Sequence, residues 1–206
     1  IYGDNCYGCT NQEAINYEED AVYDDGSCIV ADIIVPDDYS TIQSAFDNIA
    51  LDGDVIYVRA GTYTSFEWSS DADIQLIGED RETTIIDASG YNYGIEIQGD
   101  NIYYRVDHNT LIKNFTIRNA DVSGIYSYRA QPKLENLIVE NNGGTDAQGG
   151  GIYIRTNYND DNQLDTVIVN NVIIRNNITF GSGGGMCIFN SLTEYNNTPR
   201  TYISIS

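Results

Sequence analysis

The residues best suited to chemistry lie on four short alternating segments, each led by a glycine. They are Gly94-Ile95-Glu96-Ile97-Gln98, Gly124-Ile125-Tyr126-Ser127-Tyr128, Gly151-Ile152-Tyr153-Ile154-Arg155 and Gly185-Met186-Cys187-Ile188-Phe189. As strands, they would send Ile95, Ile125, Ile152 and Met186 to one side as an aliphatic ladder. Two rows would face the other way: Glu96, Tyr126, Tyr153 and Cys187, then Gln98, Tyr128, Arg155 and Phe189. Neighbouring strands stand about 4.8 Å apart, so these rows would form a flat aromatic and polar strip. Aromatic planes flanked by hydrogen-bonding groups suit sugar rings, whose C–H faces stack while their hydroxyls need partners. Glu96, Gln98, Tyr126, Tyr128, Tyr153 and Arg155 are therefore the candidate glycan-binding residues. A plainer reading stands beside this one, because tyrosine is a good outward strand residue and the chain holds 17 of them.

Evidence for catalysis is thinner. Acid–base cleavage of a glycosidic bond needs two carboxylates facing one site at about 5–10 Å. Asp71 and Asp73 could share a face but precede the glycine-led segments, and on the strip only Glu96 is acidic. Cys187, placed among tyrosines, has no base to activate it. His108 is the only histidine and lies in a polar insert, Gly99–Asn109; a second insert, Thr156–Asp165, is almost entirely polar. Near the N-terminus Asp20, Asp24 and Asp25 supply hard oxygen ligands of the kind Ca2+ takes. The D-x-[DN]-x-[DN]-G spacing is absent there, and a solvated acidic loop is the alternative.

A repeated phrase must position the strip. Its first half is Asn-x-x-(Ile/Val)-x-Asn, at residues 114–119, 136–141 and 171–176, and its second half is the glycine-led strand. Repeats spaced by twenty to forty residues mark stacked architectures. Strands are expected at residues 74–78, 84–87, 94–98, 111–118, 124–128, 134–140, 151–155, 167–175 and 185–189, joined by tight Gly/Asn corners. Asn119, Asn141 and Asn176 fall at equivalent corners and are expected to stack as a ladder, each amide bonding the next unit's backbone. Ser40 with Gln43 reads as a capping box for a helix whose apolar stripe is Ile42, Ala45, Phe46 and Ile49.

Composition narrows the setting. Over 206 residues, ten Lys+Arg stand against 31 Asp+Glu, for a net charge of -21. Such a chain repels nucleic acid and anionic membrane surfaces, and no apolar run suffices for membrane insertion. The charge favours secretion into salty or calcium-containing surroundings, or serves solubility alone. The alternating segment Thr201–Ser206 has no cap after it, so the repeat is expected to continue beyond Ser206 and into other domains of a longer chain.

Residues 1–28 hold Cys6, Cys9 and Cys28 with seven carboxylates and no Lys or Arg. Too short to bury a core, they need disulfides or metal instead. Four cysteines allow three fully paired connectivities, among which sequence alone does not choose. Gly8-Cys9-Thr10, Ala14, Asn16-Tyr17, Ala21 and Asp24-Asp25-Gly26-Ser27-Cys28 resemble the short Cys/Asp-rich repeat ending in "DDGSC" of secreted bacterial surface proteins. That resemblance implies a Cys9–Cys28 pair, a Cys6 that reaches upstream, and a secreted or cell-surface, bacterial setting.

Val35-Pro36-Asp37-Asp38-Tyr39-Ser40-Thr41-Ile42-Gln43, Gly53-Asp54 and Gly61-Thr62-Tyr63 resemble the opening of the right-handed parallel β-helix proteins of the pectin-lyase-like superfamily. The resemblance implies an all-β, right-handed parallel β-helix (a solenoid) over residues 29–206 with an N-terminal capping helix, behind a disulfide-stapled leader at 1–28. It also implies polysaccharide recognition by one face. The motif sets of polygalacturonases and pectin methylesterases are not present. The expected function is an adhesive, structural or glycan-binding module, non-catalytic in this segment. The alternative is part of a lyase or hydrolase acting on acidic polysaccharide, for which Arg155 on the same strip as Glu96 is a weak sign.

Overall fold

The computed structural model describes residues 6–48, 51–68, 72–99, 109–144, 149–157, 165–191 and 201–205. In chain order its strands begin with β1 (Tyr7–Gly8), β2 (Tyr23–Asp24) and β3 (Ile33–Val35), followed by the helix α1 (Ile42–Asn48). Next come β4 (Val55–Val58), β5 (Gly61–Tyr63), β6 (Phe66–Trp68), β7 (Gln75–Gly78), β8 (Thr84–Asp87) and β9 (Tyr93–Gln98). After these are β10 (Leu111–Lys113), β11 (Thr116–Arg118), β12 (Ser123–Tyr128), β13 (Lys133–Glu140) and β14 (Ile152–Asn157). The last are β15 (Asp165–Arg175), β16 (Met186–Ser191) and β17 (Thr201–Ile205). The chain is thus β-rich with parallel sheets, one short helix and one disulfide among the described residues.

β1 and β2 pair in parallel as a small sheet of their own. Cys9 and Cys28, joined there by a disulfide with Cα atoms 4.8 Å apart, form the pair that the leader's resemblance implied. Asn16 locks the closing segment by donating to the Ser27 carbonyl and accepting from the Ile29 N–H, both at 2.7 Å.

The other strands form two parallel sheets. One has five strands in the order β16-β14-β12-β9-β6; the other runs β3-β4-β7-β10-β13-β11-β8-β5, with β15 added on β13 and β17 on β15. Register partners lie one repeat apart throughout. Ile95 pairs with Ile125, Ile125 with Ile152 and Ile152 with Met186 in one sheet. Leu76, Ile112, Leu134 and Val169 run likewise through the other, as do Ile86, Ile117, Val139 and Ile174. Residues from both sheets join one hydrophobic cluster in which Ile95, Ile117, Ile125, Val139 and Ile152 are fully buried. The expected aliphatic ladder is therefore present.

The recurrent asparagines have a backbone cause. Asn114, Asn119, Asn136, Asn141, Asn171 and Asn176 all hold left-handed backbones, with φ between 51° and 65°. Asparagine tolerates this region better than other residues with a Cβ. Asn114 splits the expected single strand 111–118 into β10 and β11. Asn136 and Asn171 make the same bend within β13 and β15.

The side-chain ladder runs on different asparagines from those expected. Asn136 Nδ2 donates to Asn114 Oδ1 and Asn171 Nδ2 to Asn136 Oδ1, each at 2.8 Å. Backbone bonding falls to the residue after two of the three corners, where Asn142 Nδ2 reaches the Ile117 carbonyl at 3.1 Å and Asn177 Nδ2 the Val139 carbonyl at 2.9 Å, and to Asn114, whose Nδ2 reaches the Gly78 carbonyl at 3.0 Å. Asn119 instead bonds the Asp87 carboxylate, and Asn141 and Asn176 are exposed. The left-handed turn at the second corner swings its own side chain outward and the following one inward.

The helix cap also differs from expectation. α1 starts at Ile42, so Thr41 is the cap: its Oγ1 accepts the Ser44 N–H at 3.0 Å. Gln43 is left free to clamp β6, accepting the Glu67 N–H at 2.8 Å and donating to the Glu67 carbonyl at 3.1 Å. Ile42 and Ala45 are buried, and Phe46 packs on Phe66 and Trp68 with ring centroids 5.4 and 4.7 Å away. Ile49 lies outside the described residues.

Candidate ligand-binding site

The site is the outward face of the five-stranded sheet. Alternation fixes it: with Ile95, Ile97, Ile125, Ile152 and Ile154 in the core, the residues between them face away. Tyr126 pairs in register with Glu96 and Tyr153, Tyr128 with Gln98 and Arg155, and Arg155 with Phe189. All six candidate residues are brought together. The register adds one more, Glu67 on β6, opposite Glu96. The segment Phe66-Glu67-Trp68 alternates as the later strands do, but it has neither the leading glycine nor the asparagine corner by which those were found.

The tyrosines do not form an open platform. Tyr93 and Tyr126 stack with centroids 4.4 Å apart, and Tyr126 and Tyr153 with centroids 5.3 Å apart at 7° between planes. Strand spacing is close to ring-stacking distance, so like residues on adjacent strands pack face to face. Within the pile only edges and hydroxyls are offered; a free ring face exists only at its ends. Tyr93 escaped sequence reading because its parity matches the inward residues. It opens β9, just after the Asn92 turn, and its ring joins the pile from there. Burial pushes the Tyr93, Tyr126 and Tyr153 hydroxyls above the usual phenol range; Glu96 adds to this at Tyr93, while Arg155 opposes it at Tyr153.

At the Tyr93 end lies a cavity of about 330 Å3, bordered by Gln43, Glu67, Tyr91, Asn92, Tyr93 and Glu96 among others. Its size is at the lower end of the range for small-molecule sites. The clamp between Gln43 and Glu67 ties α1 to this cavity. Gln98 Nε2 donates to Glu96 Oε1 at 2.6 Å and so fixes that carboxylate. On the second row, the guanidinium carbons of Arg129 and Arg155 stand 5.1 and 5.2 Å from the Tyr128 ring centroid, and Arg155 is also 5.5 Å from that of Phe189.

Other candidates lie elsewhere. Asp73 accepts from Thr110 Oγ1 at 2.9 Å and Asn109 Nδ2 at 3.3 Å, and its carbonyl accepts from the Gly53 N–H, all beside the larger sheet. Asp71, His108 and most of both inserts lie outside the described residues. Cys187 and Cys6 are unpaired and half-buried. In the leader Asp24 and Asp25 close turns, accepting from the Gly26 and Ser27 N–H groups at 2.8 and 2.9 Å, and Ser27 lowers the Asp25 pKa. Asp20 is exposed. Among the described residues no group of three or more His, Cys, Asp or Glu stands together as a metal site. No described helix is long and apolar enough to cross a membrane.

The chain matches no protein-family model, and no curated protein or solved structure is significantly similar to it.

Proposed function

We propose that residues 29–206 are a right-handed parallel β-helix of the pectin-lyase-like kind, working as a secreted or cell-surface module that binds glycan. Support for the solenoid is the register. In three separate series every partner is one repeat further along, and all three series point into one core. Support for secretion is the disulfide in a leader too small to hold itself together otherwise.

The observation that carries glycan binding is the cavity at the end of the tyrosine pile. There the free face of Tyr93 would take the C–H face of a sugar ring. Glu67, Glu96, Gln43 and Asn92 surround it with groups for the hydroxyls. The hydroxyl edges of Tyr126 and Tyr153 extend the contact along the sheet. The test is calorimetric titration with neutral hexasaccharides of glucose, xylose and galactose. Tyr93→Ala is expected to weaken binding by about tenfold or more while leaving the melting temperature within a few degrees. Unchanged affinity in Tyr93→Ala would remove the cavity from the reading.

One observation favours hydrolysis as a second reading. Glu67 and Glu96 are register partners at the cavity, and carboxylates on adjacent strands can reach the separation that glycosidases use. New reducing ends, lost in both Glu67→Gln and Glu96→Gln, would establish it; binding without products keeps the first reading.

A further inference from the structure

The chain has ten Lys and Arg, of which Arg105 and Arg200 lie outside the described residues. Among the others, Arg59 pairs with Asp37, Arg81 with Glu82, Arg118 with Asp87, Arg175 with Glu140, and both Lys113 and Lys133 with Glu135. Arg129 and Arg155 alone among the described cations have no carboxylate partner among the described residues. In a chain with 31 acidic residues this is not for want of partners. Both sit on the ring of the same residue, Tyr128, at the centre of the outward face. On that face Glu96 already accepts from Gln98.

Three further features single out the pair. The Nε–H of each arginine is buried and has no acceptor, an arrangement that costs more for a charged donor than for a neutral one. Arg129 holds a left-handed backbone at φ 59°, a conformation taken elsewhere in the described chain only by asparagine and glycine. Its N–H donates to the Arg155 carbonyl at 2.8 Å, so the main chain ties the two residues together. Two guanidinium groups beside one ring also repel each other, and the electron-rich ring face offsets only part of that.

We propose that Arg129 and Arg155 form, around Tyr128, a subsite for a single oxyanion, a carboxylate or a sulfate ester, on an otherwise neutral glycan. The inference rests on the glycan-binding reading and deepens it by naming the charge the ligand carries. Planar guanidinium forks match either oxyanion, and one such group relieves the repulsion between them. The chain's net charge of -21 limits the ligand to sparse charge, because a polyanion would be repelled by the rest of the surface.

The test titrates the full chain with each neutral hexasaccharide, with the same backbones bearing one glucuronate, and with those bearing one sulfate ester. A singly charged sugar is expected to bind about tenfold tighter than its neutral parent, and the tighter arm identifies carboxylate or sulfate. Arg129→Gln should remove the preference and keep the neutral affinity, and Arg155→Gln, at a residue of the glycan-binding strip, should remove the preference whatever it does to the neutral affinity. Arg129→Lys and Arg155→Lys, which keep charge and bulk, should retain part of it and serve where a glutamine variant does not fold. Neutral sugars binding as tightly as charged ones would overturn the subsite and leave the glycan reading standing. A charge preference surviving the double glutamine variant would also overturn it. No binding of any sugar in the panel would end both.

Discussion

The outward faces of the two large sheets are built from similar alternating strands and are chemically opposite. On the larger sheet, charges are matched across register partners: Lys113 with Glu135, Arg118 with Asp87, Arg175 with Glu140. On the five-stranded sheet the rings stack in a pile, the two arginines have no carboxylate partner among the described residues, and Glu67 and Glu96 both border a cavity. A surface whose charges satisfy one another has little left for a ligand, whereas one with unmatched groups on a rigid sheet has what recognition needs. On the reading proposed above, the first face serves stability and the second serves binding. Substitutions on the first should lower stability and leave glycan affinity unchanged.

The largest effect is expected where the larger sheet bends. Asn136 donates to Asn114, accepts from Asn171 and from Arg81 Nη1, and does so with a left-handed backbone. Asn136→Ala would leave those partners unmatched and strain the backbone, at a cost of about 2–4 kcal/mol in chemical denaturation. Asn136→Gly, which relieves the backbone but not the ladder, should recover about 1 kcal/mol of that. Equal losses in the two variants would show that backbone strain contributes nothing there.

Pattern alone carried much of this. The glycine-led strands, the inward isoleucines and the six strip residues could be read because alternation and repetition are local properties. Which asparagine faces inward could not be, because that depends on how a left-handed turn redirects the side chains around it. Nor could Glu67 or Tyr93, whose roles come from register and from a ring reaching out of its own parity. The arginine pair was hidden for another reason. Arg129 lies one residue past the repeat, and the absence of a described partner is visible only once the other described cations have been placed.

An intermediate effect, with a defined pH dependence, is expected at Asp87. Its carboxylate accepts from Ser89 Oγ at 2.7 Å, from Asn119 Nδ2 at 3.1 Å and from Arg118 Nε at 3.0 Å. The Ser89 contact, together with Asn119 and Arg118, lowers its pKa from 3.8 to about 2. A depressed carboxylate stabilises the fold at pH values above its unfolded pKa. That stabilisation is lost as pH falls from about 4 toward 2, and solvent screening of this partly exposed group reduces it to roughly 1–2 kcal/mol. Asp87→Asn should show this loss at neutral pH and flatten the acid limb of the stability curve. An unchanged acid limb would mean that other carboxylates govern acid unfolding.

The smallest effect sharpens the comparison most, because it separates being paired from being useful. Arg59 Nη2 meets Asp37 Oδ2 at 2.7 Å, a shorter contact than most in the molecule, yet both side chains are nearly half exposed, at 44% and 48%. Water competes for such a pair, and holding two flexible side chains together opposes the Coulomb gain. Arg59→Ala should therefore leave the denaturation midpoint essentially unchanged, at low and at high salt. A clear drop in that midpoint would mean that the matched charges on the larger sheet act as a network, with Arg59 coupled through Asp37 to its neighbours. The unchanged midpoint expected would place the stability of that face in its buried ladders, and leave its surface pairs to keep this face from competing for a ligand.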